Sequence, residues 1–340
     1  EMEVVPAASD AVDVEGGRGA WLAVEGPSRV TVESVNVTNV VGMIGAALFG
    51  TASSTLATDL SIATLDVNMT DVHIKNASVY SGALAHLEGG LLRTSGVSIL
   101  DSRGLGRSDG IGIFALRGVS LFVSSLVCRN VKVDRPGQTN LGCISARVFR
   151  GSIRVSRSVF EDLDGQSGVA VGVVRDAFAV SSMPLTVIED STINGVTAYG
   201  GGAVYFESAL TSYGGALVRD TVFDGCSLSM SASNGGCIRM LFSNVTLDRV
   251  TMKNLVVPPG RRGSALANEY RQSALTVMDS LFEGSTGDSL FNLRDAIDAS
   301  FTGSTFRDIA SASRGASIRA EEATVRVRGC TFVRNSAQQH

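Results

Sequence analysis

Residues 275–282 read Leu-Thr-Val-Met-Asp-Ser-Leu-Phe, and this stretch decides the fold. Apolar side chains alternate at Leu275 and Val277, a small residue follows at Ser280, and an aromatic ring closes the motif at Phe282. The same spacing returns at four other places, beginning at Ile153, Val245, Ala299 and Val325. Looser copies end at Val37, Val72, Ile99, Val127, Ile193 and Phe223. The copies are about 24–35 residues apart, as in a repeat protein with loops of unequal length.

A second unit, glycine followed by a small residue and usually an apolar one, separates these copies. It occurs at Gly82, Gly142, Gly202, Gly236, Gly263 and Gly315, and Gly19-Ala20-Trp21-Leu22 is similar. Two-residue alternation filled by Val, Ile, Thr and Phe is typical of β-strands. One unit is too small to bury its own apolar face, whereas stacked units bury a continuous core. The pattern therefore predicts an all-β fold, in which residues 1–340 form a single parallel β-helix solenoid domain of about 11–12 coils.

The composition excludes several classes of protein. Glycine accounts for 38 of 340 residues, proline for 6 and charged residues for 18%, which argues against intrinsic disorder and against a helical coiled coil. A formal net charge of −4 gives no electrostatic reason to expect a nucleic-acid partner. The longest mostly apolar run, residues 40–50, is shorter than the ~20 residues of a membrane-spanning helix. We therefore expect no nucleic-acid partner and no membrane span in this segment.

Equivalent positions of successive copies predict columns of side chains. The aromatic position reads Phe160, Ile193, Phe223, Met252, Phe282, Phe306 and Phe332, which indicates an inward apolar stack. The position two residues earlier is small, and we expect it to lie at a bend. The residue after the aromatic position should point outward, because side chains alternate across a strand. This outward column alternates in charge through Asp224, Lys253, Glu283 and Arg307, which predicts cross-coil ion pairs.

The repeat resembles the right-handed parallel β-helix of pectin-lyase-like proteins over essentially the whole chain. Within that architecture it is most similar to the repeats of polymorphic outer-membrane protein adhesins, which alternate a Gly-Gly-Ala-Ile-type tetrapeptide with a Phe-x-x-Asn tetrapeptide. The first tetrapeptide is matched at residues 201–204 and 235–238, and the second at residues 332–335. In other copies the Asn position holds Leu163, Val196, Cys226 or Ser285. The resemblance implies a right-handed solenoid and an adhesive role at a surface.

Candidate catalytic residues are few. Polysaccharide lyases and hydrolases of this architecture use paired carboxylates, or acidic residues that hold Ca²⁺ beside a basic residue. The hydrolase motifs, paired aspartates after glycine and Gly-His-Gly, are absent from the sequence. The best acidic candidate is the column of Asp190, Asp220 and Asp279, in which Arg249 also stands. A ladder of ion pairs explains this column better than a cation site does.

We therefore expect a non-catalytic structural or adhesive rod, extracellular or at a cell surface, that carries no cofactor. Its partners would be other surface or matrix proteins, or glycans, bound along its faces. Arg261 and Arg262 form the candidate contact loop for an acidic glycan or partner, unless the loop is only a solvated turn. His73 and His86 are interpreted as surface or turn residues. The alternative function is a polysaccharide lyase or glycoside hydrolase, since one fold hosts both classes.

Cysteines and glycosylation sequons bear on the compartment. The pairs near enough in sequence for disulfides are Cys128–Cys143 and Cys226–Cys237, and the equal alternative is that all five cysteines are buried thiols. Cys143 and Cys237 should not bond, because they occupy one column about three coils apart.

Four sequons begin at Asn36, Asn68, Asn76 and Asn244. Strand alternation turns the first, second and fourth outward, and Asn76 falls in a polar stretch after a strand. We expect all four to be glycosylated in a secretory host.

The repeat is already present at residues 19–20 and continues to residue 335. Because a solenoid normally closes with an atypical capping unit, we expect this chain to be an excerpt of a longer solenoid. The alternatives are that its ends meet another subunit or a second copy of the chain.

Overall fold

The computed structural model describes residues 2–4, 22–26, 28–42, 47–51, 65–105, 110–133, 142–148, 151–175, 186–208, 214–229, 235–258, 263–268, 273–295, 297–311 and 315–337. All regular structure within these ranges is β-strand, and 35 strands join into one continuous sheet. The described part of the chain contains no helix long and apolar enough to cross a membrane. The protein is an all-β parallel β-helix, as the repeat predicts.

Three stacks of parallel strands form the sides of the helix, and a fourth, short stack lies at one corner. The first sheet contains Leu22–Glu25, Leu48–Thr51, Ala85–Ser95, Ile113–Ser124, Ile144–Val148, Val171–Arg175, Val204–Ser208, Ile238–Leu241, Leu266–Asn268, Phe291–Arg294 and Ile318–Glu321. The second sheet contains Met2–Val4, Arg29–Thr38, Asp66–Lys75, the ends of Ala85–Ser95 and Ile113–Ser124, then Ile153–Ser156, Thr186–Glu189, Gly214–Arg219, Ser243–Asp248, Ala274–Met278, Asp298–Thr302 and Thr324–Arg328.

The third sheet begins with the ends of Arg29–Thr38 and Asp66–Lys75, and continues with Ser98–Leu100, Val127–Val133, Val159–Ser167, Thr192–Asn194, Val222–Asp224, Thr251–Lys253, Leu281–Glu283, Thr305–Arg307 and Thr331–Val333. The short fourth stack contains Val41–Gly42, Ser78–Val79, Arg103–Gly104, the ends of Val127–Val133 and Val159–Ser167, then Thr197–Gly201, Ser227–Leu228, Thr286–Gly287, Ala310–Ser311 and Ser336–Ala337.

Each coil contributes one strand to each of the three sheets. Val171–Arg175, for example, pairs in parallel with Ile144–Val148 on one side and with Val204–Ser208 on the other. Ten such pairings link eleven strands of the first sheet within the described ranges, which gives eleven successive coils. The right-handed sense of the solenoid stays a prediction.

The predicted aromatic column lies in the core. Successive strands of the third sheet pair Phe160 with Ile193, and the same register continues through Phe223, Met252, Phe282, Phe306 and Phe332. The rings of Phe282 and Phe306 stack at 5.1 Å between centroids, and those of Phe306 and Phe332 at 4.8 Å. Phe282 and Phe306 are fully buried, whereas Phe332 in the last described coil is 48% exposed. The register deduced from Phe160 to Phe332 is therefore confirmed, whereas the looser copies that end at Val72 and Val127 are wrong, because Ile74 and Cys128 lie opposite Ile99 at that position.

One residue per coil makes the bend between the second and third sheets in the left-handed backbone region. The φ angle at this position lies between 47° and 64° in every coil, at Ser34, Asp71, Gly96, Ser125, Arg157, Asp190, Asp220, Arg249, Asp279, Gly303 and Gly329. Glycine, Asn and Asp tolerate this conformation best, and short polar side chains stabilise it locally. The bend thus explains most of the residue types in the column.

The serine after the bend residue connects neighbouring coils. The Ser280 hydroxyl donates to the carbonyl of Met278 at 2.7 Å and accepts the backbone N–H of Val250, in the preceding coil, at 3.0 Å. The same pair of bonds recurs at Ser158, Ser191 and Ser304. Because a buried N–H without a partner is costly, this hydroxyl explains why the position is small and polar in so many copies.

The Gly-small-apolar unit turns the chain into the first sheet. A Cβ atom at Gly142 would lie 1.7 Å from the carbonyl oxygen of Val169 in the next coil, so the close approach of the two backbones requires glycine. At Gly202 the backbone φ is +70°, which also favours glycine. The small and apolar residues that follow these glycines, such as Cys143 and Ile144, are buried in the core.

We predict that Gly142→Ala lowers the free energy of unfolding by about 3 kcal/mol, because the new methyl group overlaps a backbone carbonyl that cannot move without breaking the coil stack. Gly118→Ala is the matched control, since a Cβ at Gly118 meets no atom within 4 Å. We expect the control to change stability by less than about 0.5 kcal/mol. Urea unfolding followed by circular dichroism measures both values, and equal effects would contradict the packing argument.

Candidate interaction surface

The outer surface of the third sheet carries ion pairs between successive coils. Lys253 Nζ lies 3.0 Å from Asp224 Oδ2, and Arg307 Nη2 lies 2.7 Å from Glu283 Oε2. Earlier in the chain, Arg129 Nε lies 2.6 Å from Glu161 Oε2. The predicted alternation of charge is therefore confirmed as a ladder of cross-coil pairs.

The acidic column at the bend is also tied into ion pairs. Arg249 donates to both carboxylate oxygens of Asp220, at 2.7 and 2.8 Å, and to Asp248 at 2.7 Å. The hydrogen bonds from Arg249 hold the pKa of Asp220 below its ordinary value, although burial acts in the opposite direction. Within the described ranges, no group of three or more His, Cys, Asp or Glu side chains is placed to hold a metal ion. Within this column, the structure pairs Arg249 with Asp220.

Glu189 is a buried carboxylate held between two arginines of the second sheet. Its side chain is 3% exposed; Arg154 of the preceding coil bonds to one oxygen, and Arg219 Nε of the following coil donates to the other at 2.8 Å. Burial raises the pKa of Glu189, but the hydrogen bonds from Arg219 and Arg154 outweigh it and leave the pKa below its ordinary value. This triad locks three coils together across the outer face of the sheet.

We predict that Glu189→Gln destabilises the protein by about 2 kcal/mol near neutral pH, because it leaves two arginines without a counter-charge. The loss is below that of a fully buried pair, since both arginines reach solvent. The folded-state pKa is lowered, so the carboxylate contributes its stability above its ordinary pKa, and this contribution disappears as the pH falls through the lowered value. The difference between wild type and variant should therefore shrink in acid.

Urea unfolding measured at several pH values checks the Glu189 prediction. Glu161→Gln is the matched control, because Glu161 pairs with Arg129 at an exposed site, and we expect it to cost less than about 1 kcal/mol. A Glu189→Gln effect that stays constant down to pH 3 would show that the triad contributes through packing alone.

The two histidines occupy different environments. His73 is half-exposed, and its ring nitrogens lie 3.0 Å from Asp71 Oδ1 and 2.8 Å from Ser98 Oγ. The interpretation of His86 as a surface residue is wrong, because its ring is 5% exposed and packs between the rings of Phe49 and Phe114. Phe49, His86 and Phe114 lie opposite one another in successive strands of the first sheet. This stacking can be seen only once the register of the strands is known.

All four sequon asparagines lie on the outer side of the β-helix. Asn36, Asn76 and Asn244 are exposed, and Asn68 is half-buried. The Asn76 amide donates to Asn39 Oδ1 at 3.1 Å, and Asn244 Oδ1 accepts the backbone N–H of Ala274 at 3.1 Å. The four side chains therefore lie at the surface, where glycosylation requires them.

The structure brings together both cysteine pairs that the sequence singled out. Cys128 and Cys143 form a disulfide with their Cα atoms 6.6 Å apart, and Cys226 and Cys237 are neighbouring buried thiols in the core. Burial, together with Cys226, raises the pKa of the Cys237 thiol. Cys143 and Cys237 lie three coils apart, as the register requires. The remaining thiol, Cys330, is partly exposed.

We predict that iodoacetamide modifies Cys330 in the native protein and leaves Cys226 and Cys237 unmodified, because both of these thiols are buried and burial also raises the pKa of Cys237. In urea all three should react, while Cys128 and Cys143 should react only after reduction. Mass spectrometry of tryptic peptides measures each site. Native modification of Cys226 as fast as Cys330 would contradict the burial of the pair.

Several residues considered in the sequence lie outside the described residues. They are the contact-loop residues Arg261 and Arg262 and the tryptophan Trp21. The hypothesis that Arg261 and Arg262 contact an acidic partner therefore stays a prediction.

Asp164 and Tyr199 form a polar pair at the fourth stack that the sequence did not reveal. The Tyr199 hydroxyl donates to Asp164 Oδ2 at 2.9 Å, while Asp164 Oδ1 is buried without a hydrogen-bond partner. Burial raises the pKa of Asp164 above its ordinary value, against the hydrogen bond from Tyr199 and the charge of Lys132. Nothing in the local sequence separates Asp164 from Asp162, because the pairing depends on a residue 35 positions later.

Comparison of the chain with protein-family models, with curated proteins and with solved structures gives no match.

Proposed function

We propose that the chain is a non-catalytic rod, extracellular or at a cell surface, that binds surface or matrix proteins, or glycans, along its faces. The placement of the four sequons carries the proposal, because Asn36, Asn68, Asn76 and Asn244 all lie on the outer side of the coils. N-linked glycans are added to accessible asparagines in the secretory pathway, and they solubilise the surface around them. An adhesive role agrees with the resemblance of the repeat to adhesin repeats.

The cysteine chemistry supports the same compartment. The Cys128–Cys143 disulfide joins the third sheet of one coil to the turn that opens the next. Disulfides persist in oxidising compartments such as the secretory pathway and the extracellular space. The disulfide and the sequons are independent features of the chain, and they point to the same route.

The charged groups of the outer faces support binding in preference to catalysis. A general acid needs a carboxyl group whose pKa is raised toward the working pH. The carboxyl groups of Glu189, Asp220, Asp224 and Asp308 instead have lowered pKa values, since arginine, lysine or asparagine side chains hydrogen-bond to them against the effect of burial. These faces present fixed, ionised and mostly paired charges, which suits recognition of a complementary surface.

A polysaccharide lyase or glycoside hydrolase is the second candidate, and Asp164 is the observation that favours it. Its raised pKa and its position near the surface fit a proton donor. Its hydrogen-bond partner is Tyr199 and its charged neighbour is Lys132, whereas glycoside hydrolysis uses a pair of carboxyl groups. This environment favours the binding role.

We predict that the chain secreted from a eukaryotic host carries N-glycans at its sequons. Intact mass measured before and after glycosidase treatment should fall by several glycan masses, and Asn36→Gln, Asn76→Gln and Asn244→Gln should each remove one glycan. Asn254→Gln is the control, because Asn254 is outside any sequon and should leave the mass of the glycans unchanged. A secreted product with four unmodified asparagines would overturn the compartment assignment.

The same preparation separates the two functions. Binding to immobilised glycans and matrix proteins, without release of cleaved or unsaturated sugar, supports the rod. Release of sugar products that is lost in Asp164→Asn and retained in Asp162→Asn would overturn it in favour of the enzyme.

A further inference from the structure

Arg175 places a positive charge inside the wall of the β-helix. It ends the strand Val171–Arg175 and stands in register with Val148 and Ser208 of the neighbouring coils. The side chain is 3% exposed. Its Nη2 donates to Thr186 Oγ1 at 3.0 Å, at the start of the second sheet, whereas its Nη1 has no hydrogen-bond partner.

The two adjacent coils carry no charge at the position of Arg175, although Arg117 stands in the same register two coils earlier. Arg175 lies on the same side of its strand as Val171 and Val173, which belong to the apolar core. The equivalent positions one coil before and one coil after hold Val148 and Ser208, which are uncharged. A guanidinium group at this position departs from the pattern in which inward side chains are apolar. Such departures are expected at functional or strained sites.

A small cleft adjoins the guanidinium group at the corner between the first and second sheets. Its volume is about 10 Å³, and its walls include Arg175, Thr186, Ser208, Ser243 and the ring of Phe206. This volume is close to the space that one water molecule, or one ion of similar size, needs. The cleft is therefore too small for a sugar or a peptide.

The guanidinium group needs an opposite charge. Burial lowers the pKa of Arg175 to about 10, so the group is still charged at neutral pH. Glu207 also borders the cleft, but strand alternation places its side chain beside Tyr205, whose hydroxyl donates to Glu207 Oε2 at 2.7 Å. Among the residues that the structure describes, no carboxylate forms an ion pair with Arg175. A buried charge without a counter-charge is strongly destabilising.

We propose that this cleft binds one small monovalent anion, chloride under physiological conditions, through the unpartnered Nη1 group of Arg175. Thr186 Oγ1 accepts the bond from Arg175 Nη2, so its own hydroxyl hydrogen is available to donate to the anion. A water molecule would satisfy the N–H donors and leave the charge uncompensated, whereas an anion does both. The anion would bridge the first and second sheets at this corner.

Thermal unfolding of the full chain in buffered sodium gluconate, with gluconate replaced stepwise by chloride or bromide at constant ionic strength, tests the proposal. We expect Tm to rise by about 2–4 °C and to saturate, because only the folded state has the site. Crystals grown in bromide should show an anomalous peak within hydrogen-bonding distance of Arg175 Nη1. Equal Tm values in halide and gluconate, with a peak that scatters only as water, would overturn the proposal.

Variants assign the effect to this residue. Arg175→Met should abolish the halide dependence of Tm, Arg175→Lys should retain part of it, and Arg147→Met, which removes an exposed arginine from the neighbouring coil, should leave it intact. If Arg175→Met fails to fold, the wild-type titration and the Arg175→Lys variant still decide the matter. Halide dependence that appears only in Asp176→Asn would overturn the proposal, because the adjacent aspartate would then be the natural counter-charge.

Discussion

The bend between the second and third sheets, where one residue per coil has a positive φ, sets the geometry of the coils. In four coils the serine that follows the bend residue joins two coils by donating within its own coil and accepting an N–H from the preceding one, as at Ser280. This bend keeps a constant spacing of five positions from Val277 to Phe282 and between their equivalents. The aromatic column, the ion-pair ladder and the triad around Glu189 all require that constant spacing.

Much of the fold can be predicted from the sequence around this bend, because the spacing of the residues that flank it does not vary. The motif at residues 275–282 sets the register, and the register in turn places Phe282 inside and Glu283 outside. The register of the first sheet is harder to predict from the sequence, since the segments that flank its strands differ in length from coil to coil. Charge alone does not explain the column of Asp190 and Asp220, whereas its backbone conformation explains much of its composition.

Some of the polar sites can also be predicted from the local sequence, and others cannot. Outward asparagines such as Asn36 follow from strand alternation, and the Cys128–Cys143 pair follows from closeness in sequence. His86, Arg175 and the Asp164–Tyr199 pair could not be found this way. Each depends on what the neighbouring coil places opposite it, about 30 residues away, and the first sheet and its corners do not repeat closely enough to reveal that from one sequence.

The constancy of the bend has a consequence for how such a chain can change over time. From Phe160 to Phe332, successive coils pair in one constant register beside the bend. Duplication or deletion of one whole coil therefore joins two compatible surfaces and alters only the length of the rod. A coil that carries its own polar group, such as the one with Arg175, would be inherited as a unit. Its position in the stack could change while the other coils keep their sequences.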